Sequence, residues 1–205
     1  MKQVGIIDYG AGNFQSVFNV VEHVGFKPHK IDANCDFDSY SHIILPGVGS
    51  YGDSMERIRK LGLLQPILDF ILPGDKPFLG ICVGAQILSS HGFEFGEHTG
   101  LNIIPGKAVL LQSERSDLLL PHMGWNPVHF VENSPLFSDI PNGSPFYFVH
   151  SYHVLPHDRT QVIAFSEYFG RVTACIQSRL TFGVQFHPEK SQSAGLKLLS
   201  NFCKL

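Results

Sequence analysis

Short apolar runs alternate with helical patterns through the first hundred residues. Val4 to Ile7 is a continuous apolar run that reads as a buried strand, and Phe14 to Val24 then places Val17, Val20, Val21 and Val24 on one helical face. Ser41 to Leu45 predicts a second strand, followed by Pro46-Gly47-Val48-Gly49 and a helix from about Asp53 to Lys60. Pro77 to Ile81 predicts a third, running into a helix over Val83 to Ser90. Strands alternating with helices imply right-handed βαβ units and a parallel sheet covered on both faces.

After Gly100 the texture changes. Short β-like runs cover Lys107 to Leu111, Val128 to Val131, Phe146 to Val149, Val162 to Phe165, Val172 to Gln177 and Thr181 to Phe186. Turn signals such as Pro141-Asn142-Gly143 and Ser178-Arg179 separate them. Ser193 to Cys203 closes the pattern as a helix, with Leu196, Leu199 and Phe202 at helical spacing. The expectation is an α/β fold in one domain over residues 1–205. Its sheet is open and largely parallel or mixed, with helices on both faces and antiparallel strands added in the second half, joined to the parallel sheet or packed beside it.

Composition narrows the function classes. With 205 residues, 43% hydrophobic and 16% charged, the chain has enough apolar surface for a core without disulfide or metal staples. A formal charge of -3 with no basic stripe argues against binding nucleic acid. No apolar run approaches the roughly 18 residues of a spanning helix. Asp8 stands where a signal peptide would continue its apolar region. Cys35, Cys82, Cys175 and Cys203 lie far apart with no CxxC pair, which fits free thiols in the cytosol better than a disulfide framework.

The strongest chemical signal is Gly80-Ile81-Cys82-Val83-Gly84, a thiol version of the strand-turn-helix nucleophile elbow. Glycines on both sides allow the tight turn and the close backbone approach that an elbow needs. Cys82 then sits at a helix N-terminus, whose partial positive charge favours a negatively charged sulfur. The bland reading is a buried core cysteine; the flanking glycines weigh against it. The second signal is His187-Pro188-Glu189 after Gly183-Val184-Gln185-Phe186. Proline keeps His187 extended, and residues two apart on an extended chain point the same way, so Glu189 could orient the imidazole. An HPE tripeptide alone is more often a surface turn. Beside a cysteine elbow it becomes the base and orienter of a triad. The order Cys, His, Glu differs from that of α/β-hydrolases, where the acid precedes the histidine.

These residues carry a resemblance. The segments Ile7 to Asn13, Leu45 to Gly49, Gly80 to Gln86, Pro121 to Asn126, Tyr147 to Tyr152 and Gly183 to Ser191 run in family order along essentially the whole chain. In them the chain resembles the class I (triad-type) glutamine amidotransferases. PHMGWN points to their branch of glutaminase subunits of imidazole glycerol phosphate synthase. Val83 and Ala85 stand where that branch carries Leu and Met.

The resemblance implies roles. Cys82 attacks the glutamine amide, His187 carries the proton and Glu189 orients it. The oxyanion hole draws on Val83 N–H and on Val48 or Gly49 in the PGVG turn. Gln86, Glu94, Gly49, His150, Ser151 and Tyr152 surround the substrate, and no cofactor is needed. The implied partner is a (β/α)8-barrel cyclase subunit of histidine synthesis, joined as a heterodimer through Trp125, Asn126 and Lys190. A sugar amidotransferase of surface polysaccharide synthesis is the alternative recipient of the ammonia.

Other readings fall away. Gly10-Ala11-Gly12 begins a dinucleotide fingerprint, but Gln15 stands where its third glycine belongs. His150, His153 and His157 have ligand-like spacing, yet Pro156 and the strand-like surroundings keep them off one helical face. A cysteine peptidase would need an open cleft, whereas Gln86 and the Ser151-Tyr152-His153 segment suggest a small amino-acid pocket. A non-catalytic binding subunit would not need Cys82, His187 and Glu189 together.

Overall fold

The computed structural model describes residues 2–112, 120–131, 133–168 and 170–205. The first part of the chain forms β1 (Gln3–Ile7), α1 (Phe14–His23), β2 (Lys27–Ile31), β3 (His42–Gly47), α2 (Tyr51–Lys60), α3 (Leu64–Ile71), β4 (Phe78–Cys82) and the single turn α4 (Val83–Gln86). The remainder forms β5 (His91–Gly92), β6 (His98–Thr99), β7 (Gly106–Leu110), β8 (His122–Pro127), β9 (His129–Phe130), β10 (Pro145–His150), β11 (Tyr152–Pro156), β12 (Val162–Glu167), β13 (Arg171–Ser178), β14 (Thr181–Val184) and α5 (Gln192–Lys204).

The principal sheet has the order β2-β1-β3-β4-β14-β13-β12-β9. From β2 to β14 neighbouring strands are parallel, and from β14 to β9 they are antiparallel. β3 and β4 are buried along their whole length, as strands covered on both faces must be. The β1-α1-β2 crossover runs one way across the sheet and β3-α2-α3-β4 runs the other. Right-handed connections therefore put α1 on one face and α2 and α3 on the opposite one. α5 packs against α1 and seals the first face, with Phe202 edge-on to both His42 and Phe182.

Several elements depart from the sequence pattern. β2 (KPHKI) carries two lysines and a proline, which the sheet tolerates because the strand lies at an edge. α3 (LQPILDFI) holds Pro66 within its first turn, where a missing N–H costs nothing. The helix expected over Val83 to Ser90 stops at Gln86. The carbonyls of Ile87 and Leu88 instead accept from the N–H groups of Leu101, Ile103 and Ile104, which diverts the chain. The later strands divide, as the sequence pattern allows, between joining the principal sheet and packing beside it. β8 pairs antiparallel with β10, and β11-β7-β5-β6 forms a separate small sheet beside them.

The elbow between β4 and α4 lies pressed against β3. A Cβ on Gly84 would collide with the Leu45 carbonyl oxygen, one on Gly47 with the Gly84 nitrogen, and one on Gly80 with the Gly84 carbonyl. All of these obstacles are backbone, so none can rotate away. Gly84→Ala should therefore cost about 1–3 kcal/mol or more. The check is the urea midpoint against wild type, and an unchanged midpoint would show that the two segments can separate freely.

Candidate active site

The loops after β3, β4 and β14 meet at the carboxyl edge of the parallel strands, where open α/β sheets place their sites. β4 lies between β3 and β14, with Cys82 level with Gly47 and Ile81 level with Val184. Cys82 has φ 54 and ψ -112, a left-handed conformation that a non-glycine residue adopts only under constraint. Its side chain is buried among Val48, Val83 and His187 at one wall of a cavity of about 210 Å³.

His187 is extended (φ -101, ψ 94), but Pro188 to Lys190 form a 3-10 turn rather than continuing the strand. The pair expected side by side on an extended chain is thus brought together by the turn, which folds Glu189 back to the ring. His187 Nδ1 lies 2.8 Å from Glu189 Oε1. Asn13 Nδ2 donates to the same oxygen at 3.1 Å. His187 N–H donates to the Tyr147 carbonyl at 2.8 Å, and Ser191 Oγ donates to the His187 carbonyl at 2.6 Å, so backbone and ring are both held. Among the described residues, His187 Nε2 has no hydrogen-bond partner. Burial alone would depress this imidazole, but the adjacent Cys82 sulfur and Glu189 carboxylate outweigh it and hold the pKa well above the ordinary value.

The cavity gathers every residue expected around the substrate and at the oxyanion hole. Val48, Gly49, Val83, Gln86, Glu94, His150, Ser151 and Tyr152 all line it, with Val149 and Lys190. Gly49 has φ +93, so the PGVG turn closes in a backbone state that suits glycine. Gln86 is buried, and its Nε2 donates to the Tyr152 carbonyl at 2.9 Å and to Gln185 Oε1 at 3.1 Å. Glu94 Oε2 accepts the Tyr51 N–H at 2.9 Å, which ties this acid to the start of α2.

Two of the expected partner contacts lie elsewhere. Trp125 lines a separate cleft of about 440 Å³ with Asp139, Pro145 and Lys197. It meets Tyr147 edge-on, and Lys190 Nζ sits 5.7 Å from the same ring. Asn126 is hydrogen-bonded to His122.

Asn13 and Gln185 were not singled out by sequence reasoning. Gln185 Nε2 approaches Cys82 Sγ at 3.7 Å. Its position two residues before His187 is a period-2 signal for a shared side; Asn13 offered no comparable signal. Among the described residues no group of three or more His, Cys, Asp or Glu side chains is arranged to hold a metal. His150 and His153 turn to different partners, the Tyr152 carbonyl and the Thr173 N–H.

The chain matches the family Glutamine amidotransferase class-I over residues 5–205. It belongs to that family. An imidazole glycerol phosphate synthase subunit HisH of Syntrophotalea carbinolica is 41% identical over 201 residues, which cover 96% of this chain and 97% of that protein. A HisH subunit of Aquifex aeolicus is 42% identical over 200 residues, covering 96% and 94%. Among solved structures, PurLQS from Thermotoga maritima superposes with a TM-score of 0.75 at 21% identity, covering 99% of this chain and 98% of that one. That likeness shows the fold, a mixed α/β sheet with helices. Family membership makes this protein a glutamine amidotransferase. The site presents a buried thiol on a constrained turn, an imidazole whose Nδ1 is carboxylate-bound, and a cavity of about 210 Å³ beside them.

The buried histidines give a pH signature. Burial depresses His122 and His153 to about 4 and His150 to about 3. Burial, with the nearby Lys2 charge, takes His42 to about 4. The unfolded chain takes up protons near pH 6.5 that these rings refuse, so stability is lost as pH falls from about 6.5 towards 4. His187 acts oppositely. Its raised pKa contributes stability that is complete below about pH 6.5 and lost as pH rises towards the folded value. The urea midpoint should therefore peak near neutrality and fall steeply by about pH 4.5. A midpoint flat across the acid limb would contradict the neutral state of the buried rings.

Proposed function

We propose that this chain is the glutaminase subunit of an imidazole glycerol phosphate synthase, working in the cytosol and passing ammonia to a cyclase partner. What carries the reading is the grouping of Cys82, His187 and Glu189 on one small cavity, in a chain matched along its length by synthase subunits. The chemistry follows from the geometry. Cys82 Sγ attacks the side-chain amide carbon of glutamine with its proton held on His187 Nε2, the ring nitrogen facing away from Glu189, in the charged form that the raised imidazole pKa favours. The negative oxygen of the tetrahedral adduct is held by Val83 N–H and by an N–H of Val48 or Gly49. The C–N bond then breaks, His187 returns the proton to the leaving nitrogen, and ammonia departs from a γ-glutamyl thioester. Water then attacks the thioester with the now neutral His187 as base, releasing glutamate and restoring the resting Cys82–His187 pair. Glu189 keeps the imidazole oriented and stabilises its charged form throughout.

In this reading Gln86, Glu94 and the His150–Tyr152 segment receive the amino-acid end of glutamine. Trp125, Asn126 and Lys190 face the partner, a (β/α)8 barrel in a heterodimer. Lys190 lines the cavity and also neighbours Tyr147, which Trp125 touches, so one cluster would join docking face to site.

Two tests follow. Cys82→Ala should lower glutaminase activity by more than about 10³-fold while sparing the fold and the partner's use of free ammonium. His187→Ala should be comparably damaging. Glu189→Gln should retain roughly 10–100-fold more activity than His187→Ala, because Oε1 can still accept from Nδ1–H and Asn13. Steady-state glutamate release measures all three, and normal turnover in Cys82→Ala would end the proposal.

The PGVG turn supplies the second test. Its glycines let a peptide rotate, so one oxyanion donor can point away until the partner docks. Losing one such donor costs about 2.7–4 kcal/mol, or roughly 10²–10³ in rate. The lone subunit should therefore hydrolyse glutamine slowly and accelerate strongly with partner and its ligand. A lone subunit as fast as the complex would refute this switch.

A further inference from the structure

Beyond the cavity runs a series of hydrogen bonds that the proposed mechanism does not use. Tyr152 carbonyl accepts from Gln86 Nε2 at 2.9 Å and pairs with His150 Nδ1 at 2.8 Å. His150 Nε2 lies 3.0 Å from His122 Nδ1, and His122 Nε2 lies 2.7 Å from Asn126 Nδ2. His122 is fully buried between the rings of Phe148 (4.6 Å, 17°) and Tyr168 (3.9 Å, 15°), so it cannot turn over in place. Asn126 is half-buried beside the exposed Trp125.

One acceptor settles the direction of the whole series. A carbonyl oxygen can only accept, so His150 must carry a proton on Nδ1. Burial keeps both rings neutral at pH 7, His150 with a pKa of about 3 and His122 of about 4, so each ring has a single N–H. His150 Nε2 is then a bare acceptor, and His122 Nδ1 must donate to it. His122 Nε2 is bare in turn, and Asn126 must present its NH2 rather than its carbonyl. At the other end the series continues from Gln86 to Gln185 Oε1 (3.1 Å), and from Gln185 Nε2 to Cys82 Sγ (3.7 Å).

We propose that Asn126, His122 and His150 form a one-way hydrogen-bond relay that positions the Tyr152 carbonyl and Gln86 in the glutamine cavity. It ties that cavity to the surface around Trp125. The proposal rests on the cavity being a glutamine site. Without the Asn126 donor, His122 is free to move its proton to Nε2. That sets two lone pairs against each other at His150 and loosens the shared Tyr152 acceptor. Asn126 and His122 are positioning residues; neither touches substrate. Any contact that captures the Asn126 amide at the surface is felt at Gln86.

The test is nitrogen NMR of the full chain labelled in its histidine rings, combined with glutaminase kinetics. In the wild type both His122 and His150 should be neutral with the proton on Nδ1 at pH 7. An Nε2–H or a charged ring at either position overturns the relay. Asn126→Leu keeps the shape and removes the donor. It should shift the His150 ring nitrogens, although residue 126 does not bond His150, and raise the KM for glutamine roughly three- to tenfold with a smaller change in kcat. His122→Phe keeps the ring stack and cuts the series, so Asn126→Leu should add nothing in that background. Unmoved His150 resonances, an unchanged KM or additive effects would each overturn the proposal. If the wild type releases no glutamate, the glutaminase reading fails instead, and the NMR comparison still decides the relay.

Discussion

The close approach of the β4–α4 elbow to β3 is the constraint on which the rest of the site depends. Backbone atoms of Leu45, Gly47, Val83 and Gly84 lie so near one another that no side chain fits between them. The turn can be made there only if Cys82 takes the left-handed conformation, and the cost of that state is of order 1–3 kcal/mol. The surrounding strands meet it, because β3 and β4 are buried throughout and register Cys82 directly beside Gly47. Cys82 is therefore positioned by the backbone of two central strands.

Around that fixed sulfur the interior sorts its histidines by their partners. His122 and His150 meet aromatic rings, a carbonyl and each other, and burial leaves them neutral. His187 is as buried as they are but faces a carboxylate and a thiol, which reverses the balance. Similar desolvation thus yields neutral hydrogen-bonding rings in one place and a strongly basic ring in another. The difference lies in the Cys82 sulfur and in Glu189, whose side chain is fully sealed from solvent.

How much of this was legible in the sequence depended on whether a signal was local. β1, β3, β4 and α1 announced themselves as apolar runs or a helical stripe because their burial is continuous. β2 and β8 did not, since KPHKI and HMGWNP owe their pairing to neighbours rather than to apolar content. The length of α4 was hidden because the groups that end it, the N–H donors of Leu101, Ile103 and Ile104, are remote in sequence. The same division holds at the site. Cys82 and His187 sit in short motifs with their own backbone logic, and the family resemblance gathered the residues around them. The bond from Asn13 to Glu189 spans 176 positions, and no spacing rule reaches that far.

The place of β14 has a consequence for synthesis of the protein. This strand inserts between β4 and β13, near the middle of the principal sheet, and brings Gln185 to a thiol 103 positions earlier. Pairings of such separation form late, after their loop-closure entropy has been met. During translation Cys82 leaves the ribosome long before His187, and until then β4 has an open edge. A nascent chain therefore carries Cys82 beside an unpaired strand edge. The turn that holds His187 and Glu189 joins it only when β14 closes the sheet.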